Sequence, residues 1–170
     1  MRKPTLKPID AADLAIPGAD PWFAKPDDPA ISVMTDFRMR ASVTVDWMAT
    51  VDAALEHMKH AGVRCSFVTN EARRVVALAT AHDLMGEKPM RFVQTLAGQR
   101  QDVRVRDIAV FLRDWRAVDV GELERVTVDS VRQVMEEAKL THLPVIETVK
   151  SGQQLRGLLS AAKIRRLLSR

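Results

Sequence analysis

Hydrophobic residues recur at helical spacing twice along the chain. Val51, Ala54, Leu55, Met58 and Ala61 form an i, i+3, i+4, i+7 stripe, which predicts an amphipathic helix over residues 50–61. Thr50 stands where an N-cap belongs, Asp52 suits the positive first turn, and Gly62 marks the stop. Val63 to Thr69 then reads as a strand, Asn70 to Arg73 as a turn, and Val75 to Ala79 as a second strand. Thr80 opens another helix, kept short by Gly86 and Pro89. The same order returns later: a helix over 127–139, strands near 142–147 and 155–159, and a helix over 161–169. The buried stripe of that last helix is Ala161, Ile164, Leu167 and Leu168.

The two patterns are copies. Thr50–Val68 aligns with Thr127–Val145 at a constant offset of 77, with Thr50, Val51, Asp52, Met58, Ala61 and Val68 identical in both. Upstream, the same offset pairs Ile31 with Ile108 and Val33 with Val110. Downstream it widens to 80, pairing Ala77–Thr80 with Gly157–Ser160. A hairpin flanked by helices cannot cover both sheet faces alone, but two copies packed sheet to sheet can. The expected division is an N-terminal arm (1–30), a first domain (31–92), a linker (93–104) and a second domain (105–170). The arm holds six of the eight prolines and is expected to lie outside both cores, with Trp22-Phe23 tucked onto the domain. A bridging helix starting at Pro89 would carry Met90, Val93, Leu96 and Ala97 on one side.

Composition narrows the function classes. With 170 residues and 46% hydrophobic content, the chain can bury one core, or two small ones that share an interface. It is too apolar for a disordered tail, no apolar run approaches the ~20 residues of a membrane span, and the N-terminus lacks a signal-peptide core. A single cysteine, Cys65, excludes an internal disulfide framework and a multi-cysteine zinc site. These features point to the cytoplasm, with no membrane partner. The net charge of +4 gathers at the end, where Lys150, Arg156, Lys163, Arg165, Arg166 and Arg170 meet no acidic residue. Such a stretch suits a phosphate or an acidic partner, or is a solvated helix face with cations near its C-terminus. With no tyrosine and 5% aromatics, nucleic acid is not an expected partner.

The chain resembles a tandem pair of CBS domains, the Bateman module. The resemblance spans about residues 31–170. It rests on Thr50–Val68 and its copy ending Leu143-Pro144-Val145, and on the terminal motifs Ala77–Leu84 and Gly157–Ile164. It implies an α/β fold of two pseudo-symmetric β-α-β-β-α units packed sheet to sheet. It also implies non-catalytic, regulatory binding of an adenosine-containing ligand (AMP, ADP, ATP or S-adenosylmethionine) in the cleft between the paired domains, commonly in a disc-shaped dimer. No cofactor is required, and the regulated effector protein is unknown.

Candidate chemistry fits that expectation unevenly. Thr80 at a strand end offers a hydroxyl beside free backbone N–H groups, and the Asp83 carboxylate can accept from a ribose diol. Equally, Thr-x-x-Asp is a capping box in which each side chain serves the other's backbone. In the second copy Ser160 remains, but Lys163 replaces the carboxylate. An ammonium only donates, so Lys163 suits a phosphate, with Arg165 and Arg166 beside it. Ala77 replaces the family's usual glycine and would put a methyl where a base approaches. Cys65 and its counterpart His142 fall near the family's base pocket. His57 and His60 are spaced for a metal pair, but one is expected to be semi-buried and the other exposed, and no metal is expected. No phosphate loop, Ser-His-Asp set or carboxylate pair stands out, so the chain does not read as an enzyme. A homodimer is expected from helix faces carrying Met58, Met135, Leu167 and Leu168. The alternative is a ligand-free dimerisation or protein-interaction scaffold.

Overall fold

In the computed structural model, which describes residues 21–96, 98–150 and 152–169, each stripe folds as its spacing predicts. In chain order, a 3-10 turn (Ala30–Val33) leads to β1 (Thr35–Asp36), β2 (Thr44–Asp46) and α1 (Val51–His60). The hairpin β3 (Cys65–Thr69) and β4 (Val75–Thr80) follows, then α2 (Ala81–Met85), α3 (Glu87–Leu96), α4 (Val105–Ile108) and β5 (Val110–Phe111). The second half has β6 (Val118–Asp119), α5 (Val120–Leu123), α6 (Val128–Glu137), β7 (His142–Val149), β8 (Gly152–Ser160) and α7 (Ala161–Leu168). The Thr50 and Thr127 hydroxyls cap α1 and α6, accepting from Ala53 N and Ser130 N at 3.2 Å each.

Two four-stranded sheets result, β2-β3-β4-β5 and β1-β8-β7-β6. Each is covered on one face by its own helices. Val51, Ala54, Met58, Val68 and Leu84 anchor the first core; Val128, Met135, Val145, Ile164 and Leu167 anchor the second. Phe67, Leu78 and Pro144 are buried on the opposite strand faces, outside both cores, as sheet-to-sheet packing requires.

The copies are interlocked through their leading strands. β1, which precedes the first hairpin, pairs antiparallel with β8 of the second (Thr35 opposite Leu158, Asp36 opposite Gly157). β5, which precedes the second hairpin, pairs with β4 of the first (Leu78 opposite Val110, Ala77 opposite Phe111). This register corrects the upstream alignment. Thr35, not Val33, is equivalent to Val110, an offset of 75. Val45, which pairs with Val68, is equivalent to Val118, which pairs with Val145, an offset of 73. The four residues of α5 restore the 77.

The arm also differs from expectation. Ala24 and Ala30 are buried in the second core, and residues 26–30 repeat the role of 101–105. Asp28 O accepts from Val128 N (2.9 Å) and Val103 O accepts from Val51 N (3.2 Å), so each segment satisfies an orphan N–H at a helix start. Ala30 N donates to Val126 O as Val105 N donates to Ala49 O, both at 2.9 Å. Ala24 N donates to Leu167 O at the end of α7. Trp22 and Phe23 are not tucked in; they are 82% and 59% exposed. Residues 1–20 of the arm lie outside the described residues. Of Met58, Met135, Leu167 and Leu168, the basis for expecting a homodimer, the first three are buried within the chain at 1–2% exposure and Leu168 packs partly buried against the second core.

Gly157 shows how tightly the exchanged strand sits. A Cβ there would meet Met34 Sδ at 2.6 Å and Thr35 O at 2.7 Å. The first copy has Ala77 and Ala109 at the places of Gly157 and Met34, a small-small pair against a glycine-methionine pair. Gly157→Ala is therefore expected to destabilise the protein by about 1–3 kcal/mol, and Met34→Ala by about 2–5 kcal/mol. The double variant should lose less than the sum by roughly 0.5 kcal/mol or more. Urea unfolding of the four proteins measures this, and strict additivity would contradict it.

Candidate functional site

The hairpin registers place the polar candidates at one end of the interface between the sheets. Cys65 stands opposite Thr80 on β3 and β4, and His142 opposite Ser160 on β7 and β8. At the same end, Ala81 N donates to Arg64 O (2.9 Å) and Ala161 N donates to Thr141 O (3.0 Å), tying each following helix to the start of its hairpin. Between the two ends lies a cleft of about 600 Å³, lined from the first unit by Arg64, Thr80 and Asp83 and from the second by His142, Ser160 and Arg165.

The Thr80 hydroxyl does two jobs. It accepts from Asp83 N at 3.1 Å, capping α2, and donates to Asp83 Oδ2 at 2.6 Å. Asp83 Oδ1 is held by Lys88 Nζ at 2.6 Å. Burial pushes the Asp83 carboxyl upward, but the hydrogen bonds from Lys88 and Thr80 outweigh it and hold the group below its ordinary value. The capping box expected of Thr-x-x-Asp is thus realised only in half: the Thr80 hydroxyl serves the Asp83 backbone, but the Asp83 carboxylate takes the Thr80 hydroxyl instead of its backbone N–H, and it still has lone pairs for a further donor. In the second unit Ser160 Oγ accepts from Lys163 N at a longer 3.4 Å, capping α7.

Asp83 is the only acidic residue among those lining the cleft, facing the guanidinium groups of Arg64 and Arg165 and the imidazoles of His82 and His142. The lining therefore favours an anion, with one carboxylate set within it. Burial depresses the His142 imidazole, an effect that the Asp83 charge opposes. His142 therefore stands neutral at pH 7, and its Nδ1 lies 3.2 Å from the Thr141 hydroxyl. Burial, with a smaller contribution from Asp83, pushes the Cys65 thiol up to about 12.

Of the residues singled out from sequence, Thr80, Asp83, His142, Ser160 and Arg165 meet at the cleft. Cys65 is half-buried beside Thr80 without lining it, and Lys163 and Arg166 stand on α7 outside the lining. Ala77 is corrected: its side chain is buried in the first unit's own core, on the strand face away from the cleft. His57 and His60 are both exposed, so the expected semi-burial of one is also corrected. Among the described residues no group of three or more His, Cys, Asp or Glu could hold a metal ion. Arg64 and Lys88 were not anticipated. Arg64 was within reach, because it adjoins Cys65 and aligns with Thr141 in the repeat.

No family model and no curated protein sequence matches the chain. Solved structures do. CBSX2 in complex with AMP matches with a TM-score of 0.57 at 20% identity, over 81% of this chain and 93% of that one. The CBS-pair protein CBSX2 from Arabidopsis thaliana matches at 0.54 and 21%, over 82% and 93%. A CBS domain protein of unknown function from Thermoplasma acidophilum matches at 0.59 and 17%, over 84% and 70%. The chain has the fold of a tandem CBS pair. Its two units are unequal, since Lys163 replaces Asp83 and α7 runs on to Leu168 where α2 stops at Met85. Among the described residues, no helix is long and apolar enough to cross a membrane.

The raised thiol pKa gives a direct test of how enclosed this end of the interface is. A shift from 9.0 to about 12 lowers the thiolate fraction at pH 8 about a thousandfold. Alkylation of native Cys65 by iodoacetamide should run roughly a hundredfold or more slower than in urea. Equal rates would contradict the placement of Cys65.

Proposed function

We propose that the protein is a non-catalytic regulatory module that holds an adenosine-containing ligand, of the AMP, ADP, ATP or S-adenosylmethionine class, in the cleft between its two CBS units. The observation that carries this reading is one carboxylate, Asp83, set with the guanidinium groups of Arg64 and Arg165 at the junction of both units. A nucleotide offers the matching pattern: a ribose diol that donates twice and phosphates that seek Arg64 and Arg165. The cleft volume, about 600 Å³, falls within the ~300–1,000 Å³ of small-molecule sites. The AMP in the complex with CBSX2 supports the ligand class.

Regulation follows from the shape of the site. A ligand touching Thr80 and Asp83 on one unit and His142 and Ser160 on the other favours the arrangement of the units in which all contacts are made. The phosphates are assigned to Arg64 and Arg165 ahead of Lys163 and Arg166, because only the former pair lines the cleft.

Asp83→Ala tests the assignment. The Thr80 hydroxyl remains to cap α2, so the fold should persist. Hydrogen bonds to a charged partner contribute ~1.5–3 kcal/mol, so nucleotide affinity should fall roughly tenfold or more. Calorimetry with AMP, ADP, ATP and S-adenosylmethionine measures it. Undiminished binding by Asp83→Ala would refute the ribose assignment, and no binding of any of the four by the parent would favour the scaffold reading.

A further inference from the structure

We propose that His142 couples the capture of a phosphate-bearing ligand in the cleft to the uptake of a proton, so that affinity for a nucleotide rises as pH falls while affinity for the neutral nucleoside does not. The proposal rests on the reading of the cleft as a nucleoside site. Its basis is placement: His142 lines the same cleft of about 600 Å³ as Arg64, Arg165 and Asp83. Of the two imidazoles in that lining, His82 is exposed and His142 is half-buried. A positive charge on His142 is therefore poorly solvated, and its cost depends on which other charges share the cleft.

The groups facing His142 give it one negative neighbour, and that one is already engaged. From α2 comes Asp83, whose two oxygens are held by the Lys88 ammonium and the Thr80 hydroxyl, each at 2.6 Å. From the start of the first hairpin and from α7 come the guanidinium groups of Arg64 and Arg165, which oppose a further positive charge. On its own hairpin His142 meets two hydroxyl residues, Thr141 at 3.2 Å from Nδ1 and Ser160 across the ladder. Cys65, the equivalent residue of the first unit, stays a neutral thiol at pH 7, because burial pushes it up to about 12. Burial likewise holds the His142 imidazole below its ordinary value against the pull of Asp83.

A phosphate reverses this balance. Brought to Arg64 and Arg165, it sets one or two negative charges in the cleft that His142 lines. A cleft of this volume keeps its contents within roughly a Debye length of one another, ~8 Å at physiological ionic strength, so the attraction survives screening without direct contact. The imidazole then binds its proton more tightly in the complex than in the free protein. Ligand affinity therefore grows as pH falls from the complex's titration point toward the free protein's, and levels off below it. Adenosine brings the diol without the charge and leaves His142 neutral.

Calorimetry with AMP and adenosine on the parent and His142→Gln, at pH 8.5, 7.5 and 6.5 and in buffers of different ionisation enthalpy, tests this. Over that range the AMP phosphate stays largely dianionic, because its second pKa lies at about 6. The parent should take up roughly half a proton or more per AMP near pH 7 and bind AMP about fivefold or more tighter at pH 6.5 than at pH 8.5. Adenosine should show neither effect. His142→Gln should lose the proton uptake and hold its AMP affinity within about twofold across the range. Proton NMR of the parent, which needs no variant, should show the His142 imidazole titrating about one pH unit or more higher with AMP than without. An unmoved His142 titration in the AMP complex, or the same pH dependence in His142→Gln as in the parent, overturns the role of His142 and leaves the nucleoside reading standing. Binding of neither ligand by the parent at any of the three pH values overturns both.

Discussion

Reciprocal exchange of leading strands is the constraint on which this structure depends. Neither sheet is complete within its own copy of the repeat: β1 closes the edge of β8, and β5 closes the edge of β4. The segments just before these strands supply carbonyl acceptors to the first turns of α6 and α1. Separating the units would therefore expose two strand edges, orphan two helix starts and uncover Phe67, Leu78 and Pro144 together. The units hold one another in register, and the cleft between them inherits its geometry from that lock.

The lock explains why the site is shared. Because Thr80 and Ser160 end equivalent strands, the pseudo-symmetry sets their capping hydroxyls in one cleft, with Arg64 and Arg165 beside them. The sequence then breaks the symmetry at a few positions. Asp83 gives one half an acceptor, Lys163 denies it to the other, and Gly86 turns the chain so that α3 meets the first half alone. The outcome is one polarised site in place of two equal ones.

Most of the architecture was legible because it is written in local periodicity. The stripe of α1, its repetition in α6, and the paired hairpins all follow from spacing, and the repeat makes Thr80 and Ser160 equivalent strand ends. What the sequence did not disclose is long-range and backbone-borne. Residues 26–30 look irregular because their work is done by carbonyl and amide groups, which leave no side-chain signature. The upstream offset slipped by two because β1 and β5 are two-residue strands that carry too little pattern to fix a register. Ala77 was misread for a related reason: which strand face it occupies depends on the pairing, and the pairing turns its methyl into the core. Lys88 was invisible because i, i+5 is not a helical contact; only the turn at Gly86 makes it one.

The central claim is that one cleft, formed by both units and centred on Asp83, takes the ligand. The direct measurement is an amide ¹H–¹⁵N titration of the full chain with AMP. The account predicts saturable shifts concentrated at Arg64, Ala81–Asp83, Thr141–His142 and Ser160–Ala162, drawn from both units and following a single binding curve. Shifts confined to one unit, or centred on the distant α6 surface around Val134, would contradict it.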